Sequence, residues 1–229
     1  MTNARDVSDL SAYMVDFGPL NVPLDLRTPF GNERPVELEI GCGKGLFLAN
    51  AARLRPGHNF LGVEVMRKYA RRAADRAAKL GLENVRVACA DARAILSRGE
   101  PASSLAALHI YFPDPWWKRK HHKRRLFDER LLIAAERLLA PGGTLACATD
   151  VEAYFAVMRG LVATHAAFRA LPPEPPKTPE HELDYLTNFE RKYRLEGRPI
   201  WRASYRFEPP NAVVAPPDAA CSHAIEGGS

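Results

Sequence analysis

Three acidic side chains in the first half of the chain, Glu39, Glu64 and Asp91, each stand at the end of a short apolar run. The first is followed at once by Gly41, Gly43 and Gly45. A glycine turn between a strand and a helix lets backbone N–H groups approach a nucleotide-like ligand. The spacing is G-x-G-x-G, whereas the dinucleotide fingerprint wants its third glycine where Leu46 stands. An acid before the first glycine adds negative charge beside a pyrophosphate, but it suits a cofactor carrying a sulfonium and an amino group. The pattern points to S-adenosyl-L-methionine held by Glu39, Gly41, Gly43 and Gly45, with Glu64 placed to accept ribose hydroxyls and Asp91 to meet the adenine edge. Each acid alone reads equally well as a helix cap or a solvated turn. The three in succession after a glycine turn select the ligand.

A second constellation is the stretch YFPDPWWKRKHHKRR, from Tyr111 to Arg125. Pro113 and Pro115 stiffen the chain around Asp114 and so fix where its carboxylate points. Trp116 and Trp117 follow, at least one of them expected to pack rather than to stack on a base. Then come Lys118, Arg119, Lys120, Lys123, Arg124 and Arg125, with His121 and His122 between them. Alone, such a run is a solvated face or a nonspecific polyanion contact. Beside a cofactor site it predicts RNA phosphate contacts from Lys120, Lys123, Arg124 and Arg125. The two histidines have no third ligand near them in sequence, and no metal site is expected.

These residues need a frame that brings strand ends together. Val36 to Ile40 reads as a buried strand, Leu46 to Leu54 as a helix, Asn59 to Val65 as a second strand and Arg67 to Leu80 as a helix stopped by Gly81. Asn84 to Cys89 and Leu105 to Phe112 are further strands. Phe127 to Leu139 has a helical apolar face that Pro141, Gly142 and Gly143 should end. Thr144 to Thr149, a helix from Val151 to His165, and Pro199 to Phe207 complete the alternation, which predicts a mostly parallel sheet with helices on both faces. Residues 1–35, with four prolines, read as an irregular leader that packs on the domain or closes over a site. Residues 36–208 form the domain, within which 172–198 is an insertion: a proline-dense linker and a helix with Thr178 as cap and Pro179 in its first turn. Residues 209–229 read as a disordered tail.

The whole chain agrees with this picture. Its 229 residues fit one decorated domain, and 46% hydrophobic with 26% charged residues is ordinary for a globular protein. The net charge of +5 favours a polyanionic partner once its concentration near residues 118–125 is noted. Cys42, Cys89, Cys147 and Cys221 lie far apart, without metal-ligand or disulfide spacing. No targeting segment and no membrane-length apolar run is present, so a cytoplasmic protein is expected.

In order, EIGCGKG, GVEV, ADA, FPDPWWKRKHHKRR, LAPGGTLACATD and TNFE resemble the bacterial tRNA (guanine-N7-)-methyltransferases, from about Val36 to Phe207. The PDPW-x-K and H-x-KRR elements carry most of the specificity, since many methyltransferases share the glycine loop. Trp117 departs from the Pro or His of many members. The resemblance implies a Rossmann-like class I methyltransferase fold: an α/β protein with a seven-stranded, mostly parallel sheet and a final antiparallel strand. It implies cofactor contacts from Glu39, Glu64, Asp91 and Asp114, with Asp114 as the catalytic candidate. It further implies substrate contacts from Lys118, Asp150 and the segment Thr187, Asn188, Phe189 and Glu190. The expected reaction is methylation of N7 of a guanosine in tRNA, in the variable loop at position 46 of standard tRNA numbering, without an obligatory protein partner. Taken without the resemblance, the residues also admit a methyltransferase for another RNA, or an RNA-binding protein with a vestigial cofactor pocket.

Overall fold

The computed structural model describes residues 10–18, 22–116, 119–173 and 187–210, with the side chains of Arg119, His122 and Lys123 outside that description. Its centre is a run of parallel strands: β3 (Val36–Ile40), β4 (Asn59–Val63), β5 (Val85–Ala88), β7 (Leu105–Tyr111) and β8 (Leu139–Thr149). Both β3 and β4 are buried along their whole length: β4 is almost wholly apolar after Asn59, whereas β3 alternates apolar residues with two buried acids, Glu37 and Glu39.

Helices cover both faces, as expected. Helices α1 (Leu46–Leu54) and α2 (Arg67–Lys79) share one apolar cluster with Phe60, Val85 and Val87. The helices α3 (Ala92–Arg98), α4 (Glu129–Leu138) and α5 (Glu152–Val162) share the other, around Leu38, Leu108, Ile110 and the fully buried Tyr154. Helix α2 ends where Gly81 takes a left-handed conformation at φ 61°, as a helix C-terminus requires.

Among the described residues the main sheet has eight strands; with β1 (Met14–Val15), β9 (Phe168–Ala170) and β10 (Trp201–Phe207) the order is β1-β5-β4-β3-β7-β8-β10-β9. Seven are those of the class I methyltransferase pattern, including β9 (Phe168–Ala170) and β10 (Trp201–Phe207), and β10 runs antiparallel to both its neighbours. The eighth corrects the reading of the leader as irregular. Strand β1 (Met14–Val15) pairs in parallel with Val87 and Ala88, supplying partners to the otherwise open edge of β5. A second small sheet joins β2 (Leu24–Asp25) to β6 (Gly99–Glu100).

Two further differences concern boundaries. Helix α3 was not expected; it is short and alanine-containing, and Asp91 caps it by accepting from the N–H of Arg93 at 2.8 Å. The Pro141–Gly143 segment does not end α4. That helix stops at Leu138, Leu139 already pairs with Leu105, and the three residues lie inside β8 where the register shifts. Backbone pairing with the neighbouring strand starts before the turn residues are reached. In the insertion, the described helix is α6 (Asn188–Leu195), capped by Thr187; Thr178 and Pro179 lie outside the described residues, as do residues 211–229 of the tail.

Candidate active site

The carboxyl ends of β3, β4, β5 and β7 open into one cavity of about 840 Å³, near the upper end of the range for small-molecule sites. One end is built from the glycine turn. Gly41 and Gly43 have φ of 73° and 54°, and a Cβ at Gly41 would meet no atom within 4 Å. The space beside Gly41 is open, and both glycines hold a backbone conformation that L residues rarely adopt.

Glu39 lies beneath this cradle, only 3% exposed, and its Oε2 is buried with no hydrogen-bond partner. Burial, reinforced by the charge of Glu64, pushes its carboxyl up to about 8. An acceptor left unpaired in such a place is stabilised only by an arriving donor or cation. The charge pattern fits S-adenosylmethionine, which brings both.

Glu64 is also buried, but its carboxylate is partly engaged by the protein. Oε2 accepts from the N–H of Gly43 at 3.0 Å and Oε1 from that of Met66 at 2.8 Å, so Glu64 ties the glycine turn to the end of β4. Asp91 lines the cavity as expected while capping α3. Gly45 does not line it. A Cβ there would stand 2.8 Å from the Ala73 Cβ, so this third glycine serves the close approach of α1 to α2.

The opposite end is formed by the chain leaving β7. Phe112 and Trp116 have φ of 54° and 42°, a conformation that costs bulky L residues energy and concentrates at functional sites. The N–H of Phe112 donates to the Ala148 carbonyl at 2.7 Å, which pins this exit to β8. Asp114 follows, exposed, on the cavity wall. Phe189, half exposed at 49%, lines the same end and has its ring centroid 6.0 Å from that of Phe112. Thr187 and Asn188 also line it. The hydroxyl of Thr187 accepts from the N–H of Glu190 at 3.0 Å, so Thr187 is a helix cap at the cavity edge.

The basic run forms a 3-10 helix over Arg119–Arg124 folded against Trp116. The Arg124 guanidinium lies 5.1 Å from the Trp116 ring and reaches the cavity; the His121 ring meets the same indole edge-on at 5.7 Å. Trp116 therefore packs, and Trp117 lies outside the described residues. Lys120 is exposed, away from the cavity lining. Arg125 has a different employment from the one expected. Its Nε donates to the Pro115 carbonyl at 2.8 Å and its guanidinium lies over the Tyr154 ring at 5.1 Å, clamping the PDP turn to α5. Lys118 and the Lys123 side chain lie outside the described residues.

Two of the expected substrate contacts are held by arginines. Glu190, 3% exposed, pairs with Arg194 and Arg202, and Asp150 pairs with Arg198; neither acid is among the cavity-lining residues. Tyr193 and Arg198, which adjoin this region, carry no signal in their spacing, and Phe112 is marked only by its place in the stretch before Asp114. Glu37 does carry a visible signal, as an acid inside a buried strand two residues before Glu39.

The chain matches the family model described as "Putative methyltransferase" over residues 33–203. A tRNA (guanine-N(7)-)-methyltransferase of Rhodopirellula baltica is 39% identical over 204 residues, 86% of this chain and 75% of the relative. One from Geobacter metallireducens is 34% identical over 205 residues, 88% and 96% of the two chains. The fold is similar to that of the 16S rRNA methyltransferase KamB, with a TM-score of 0.59 at 18% identity over 81% of this chain and 95% of that one. It is similar too to a SAM-dependent O-methyltransferase of Thermotoga maritima, with a TM-score of 0.51 at 16% identity over 77% and 60%. With the glycine cradle, the unpaired Glu39 and the Asp114 exit in one cavity, and with relatives of this identity along most of its length, the chain belongs to the tRNA (guanine-N7-)-methyltransferase family.

Proposed function

We propose that this protein transfers the methyl group of S-adenosylmethionine to N7 of a guanosine in tRNA, giving 7-methylguanosine, and that the target is the variable-loop guanosine at position 46. The observation that carries the reading is one cavity with a buried Glu39, its Oε2 unpaired, at one end and Asp114 with the half-exposed Phe189 at the other. The cofactor supplies an electrophilic methyl on a cationic sulfur. Guanine N7 has a free lone pair and loses no proton, so no strong general base is required. The residues must instead hold acceptor and donor in line and stabilise a purine that becomes cationic.

Asp114 suits that task as an anionic group on the cavity wall near Phe112 and Phe189, acting by position and charge. Asp150 and Glu190 contribute to the acceptor side, and Lys118, Lys120, Lys123 and Arg124 to phosphate contact. Arg125 acts from within, holding the turn that carries Asp114. No described helix is long and apolar enough to cross a membrane, which suits an enzyme working on tRNA in the cytoplasm.

The test is incubation of the protein with labelled cofactor and an unmodified tRNA transcript, followed by nucleoside analysis. The label should appear as 7-methylguanosine, and should vanish when the guanosine at position 46 is replaced. Label at another base defeats the reading.

A further inference from the structure

Beside the cavity, three rings from two elements meet. The Tyr193 centroid lies 5.4 Å from that of Phe112 and 6.1 Å from that of Phe189, nearly parallel to the latter. The Arg198 guanidinium lies over Tyr193, 4.1 Å from its centroid, and pairs through Nη2 with Oδ2 of Asp150. Its Nη1 is 3.7 Å from Glu196. The Asp150 side chain is only 11% exposed.

A guanidinium is planar and carries a fork of N–H donors. Lying over a ring and donating to a carboxylate, it takes the two positions by which proteins hold an extruded base: one against an aromatic face, and edge donors on an acceptor. Guanine presents the same fork in its N1–H and N2–H groups. We propose that Arg198 is a stand-in for the target guanine, covering Asp150 and Tyr193 until the Watson–Crick edge of the base displaces it. This rests on the reading of guanine as the methyl acceptor, and it makes Asp150 the residue that determines base specificity. Adenine, with an acceptor at N1, sets its lone pair against the Asp150 carboxylate and is refused. The arrangement also accounts for the absence of Asp150 from the cavity lining. Arg198, 42% exposed and already near Glu196, has somewhere to go when it leaves.

The test compares steady-state methylation of an unmodified tRNA transcript by the wild type and by Arg198→Ala. Removing a competitor held by a part-exposed ion pair should lower the KM for tRNA by about threefold. An unchanged or raised KM overturns the proposal, since an arginine that only braces α6 or binds phosphate gives that result. Arg198→Gln keeps the length without the fork and serves the same comparison if the alanine variant does not fold. Tyr193→Ala should raise the KM and Tyr193→Phe should restore it; equal defects in both speak against the stack.

A transcript with inosine at the target position lacks the 2-amino donor. It should cost the wild type about tenfold in kcat/KM, and the preference should shrink to about twofold in Asp150→Asn. A preference that persists in that variant overturns the assignment of Asp150. If the wild type makes no 7-methylguanosine from the guanine transcript, the functional reading itself fails, whereas normal turnover with an unmoved KM in Arg198→Ala removes only this inference.

Discussion

The hydroxyl of Tyr111 and Nδ1 of His109 are 2.9 Å apart, and the direction of the bond is fixed from the other side of the ring. His109 Nε2 lies 2.8 Å from the Glu37 carboxylate, which can only accept, so Nε2 carries the proton. Burial lowers the His109 pKa against the pull of Glu37. The ring is then neutral, and Nδ1 accepts from the Tyr111 O–H. The chain continues outward, since Arg55 grips Glu37 with two bonds of 2.9 Å and His58 adds a third partner at 2.8 Å. A buried polar line thus runs from the surface to the last residue of β7, one position before the strained Phe112.

Tyr111→Phe should leave His109 Nδ1 unpaired in a buried site. A loss of about 1–2 kcal/mol in urea unfolding is expected, together with a several-fold fall in kcat at saturating cofactor, because the exit that carries Asp114 loses its anchor. Unfolding free energy equal to wild type would show the bond to be dispensable.

Glu37 gives the fold an acid limit. Burial works against its charge, but the bond from His109 and the bonds and charge of Arg55 outweigh this and hold its carboxyl at about 2, below the usual 4.5. A depressed carboxyl contributes stability above its unfolded pKa and loses it as pH falls through the folded one. About 3 kcal/mol should therefore disappear between pH 4.5 and 2. Denaturant titrations of wild type and Glu37→Gln across that window should converge at the acid end. Curves that stay parallel contradict the assignment.

Glu39 behaves in the opposite sense. With its carboxyl at about 8 it is protonated in the free protein at neutral pH, while the unfolded chain ionises near 4.5. Native protein then holds the extra proton, and this residue's contribution makes stability fall as pH rises from 4.5 to 8. Pairing with a cationic cofactor requires the ionised form. S-adenosylmethionine affinity should rise with pH, by up to about tenfold per pH unit, and level off above pH 8. Calorimetry at pH 7 in buffers of different ionisation heat should detect close to one proton released, and Glu39→Gln should abolish that release. Binding without proton release in the wild type would falsify the coupling.

How far the sequence revealed this site depends on the kind of constraint. The glycine turn, Glu39 and the parallel strands were readable because local geometry dictates them: a strand, a turn with left-handed positions, a helix. Asp91 was readable both as a site residue and as a helix cap, but the helix it caps was not, since α3 is too short for its period to stand out. Gly45 looked like part of the cradle until the three-dimensional packing of α1 on Ala73 showed its use. Arg194 lies one helical turn from Glu190, but Arg198 reaches Asp150 from 48 residues away and Arg202 reaches Glu190 from 12, and no periodicity links those two pairs. Arg125 seemed one more cation in a run. Only the fold reveals that Pro115 and Tyr154 hold it.

That difference separates Arg125 from its neighbours experimentally. Arg124→Ala and Lys120→Ala should weaken tRNA binding and flatten its salt dependence, each lost phosphate contact lowering the slope by about one, with unfolding unchanged. Arg125→Ala should act through structure: it frees the Pro115 carbonyl and uncovers the Tyr154 ring, so a loss of about 1–3 kcal/mol in stability is expected. Its defect in kcat should exceed its defect in tRNA affinity, because the turn bearing Asp114 is released. If Arg125→Ala instead leaves stability intact and lowers the salt slope as Arg124→Ala does, Arg125 is a phosphate contact after all, and the clamp between the PDP turn and α5 is without consequence for turnover.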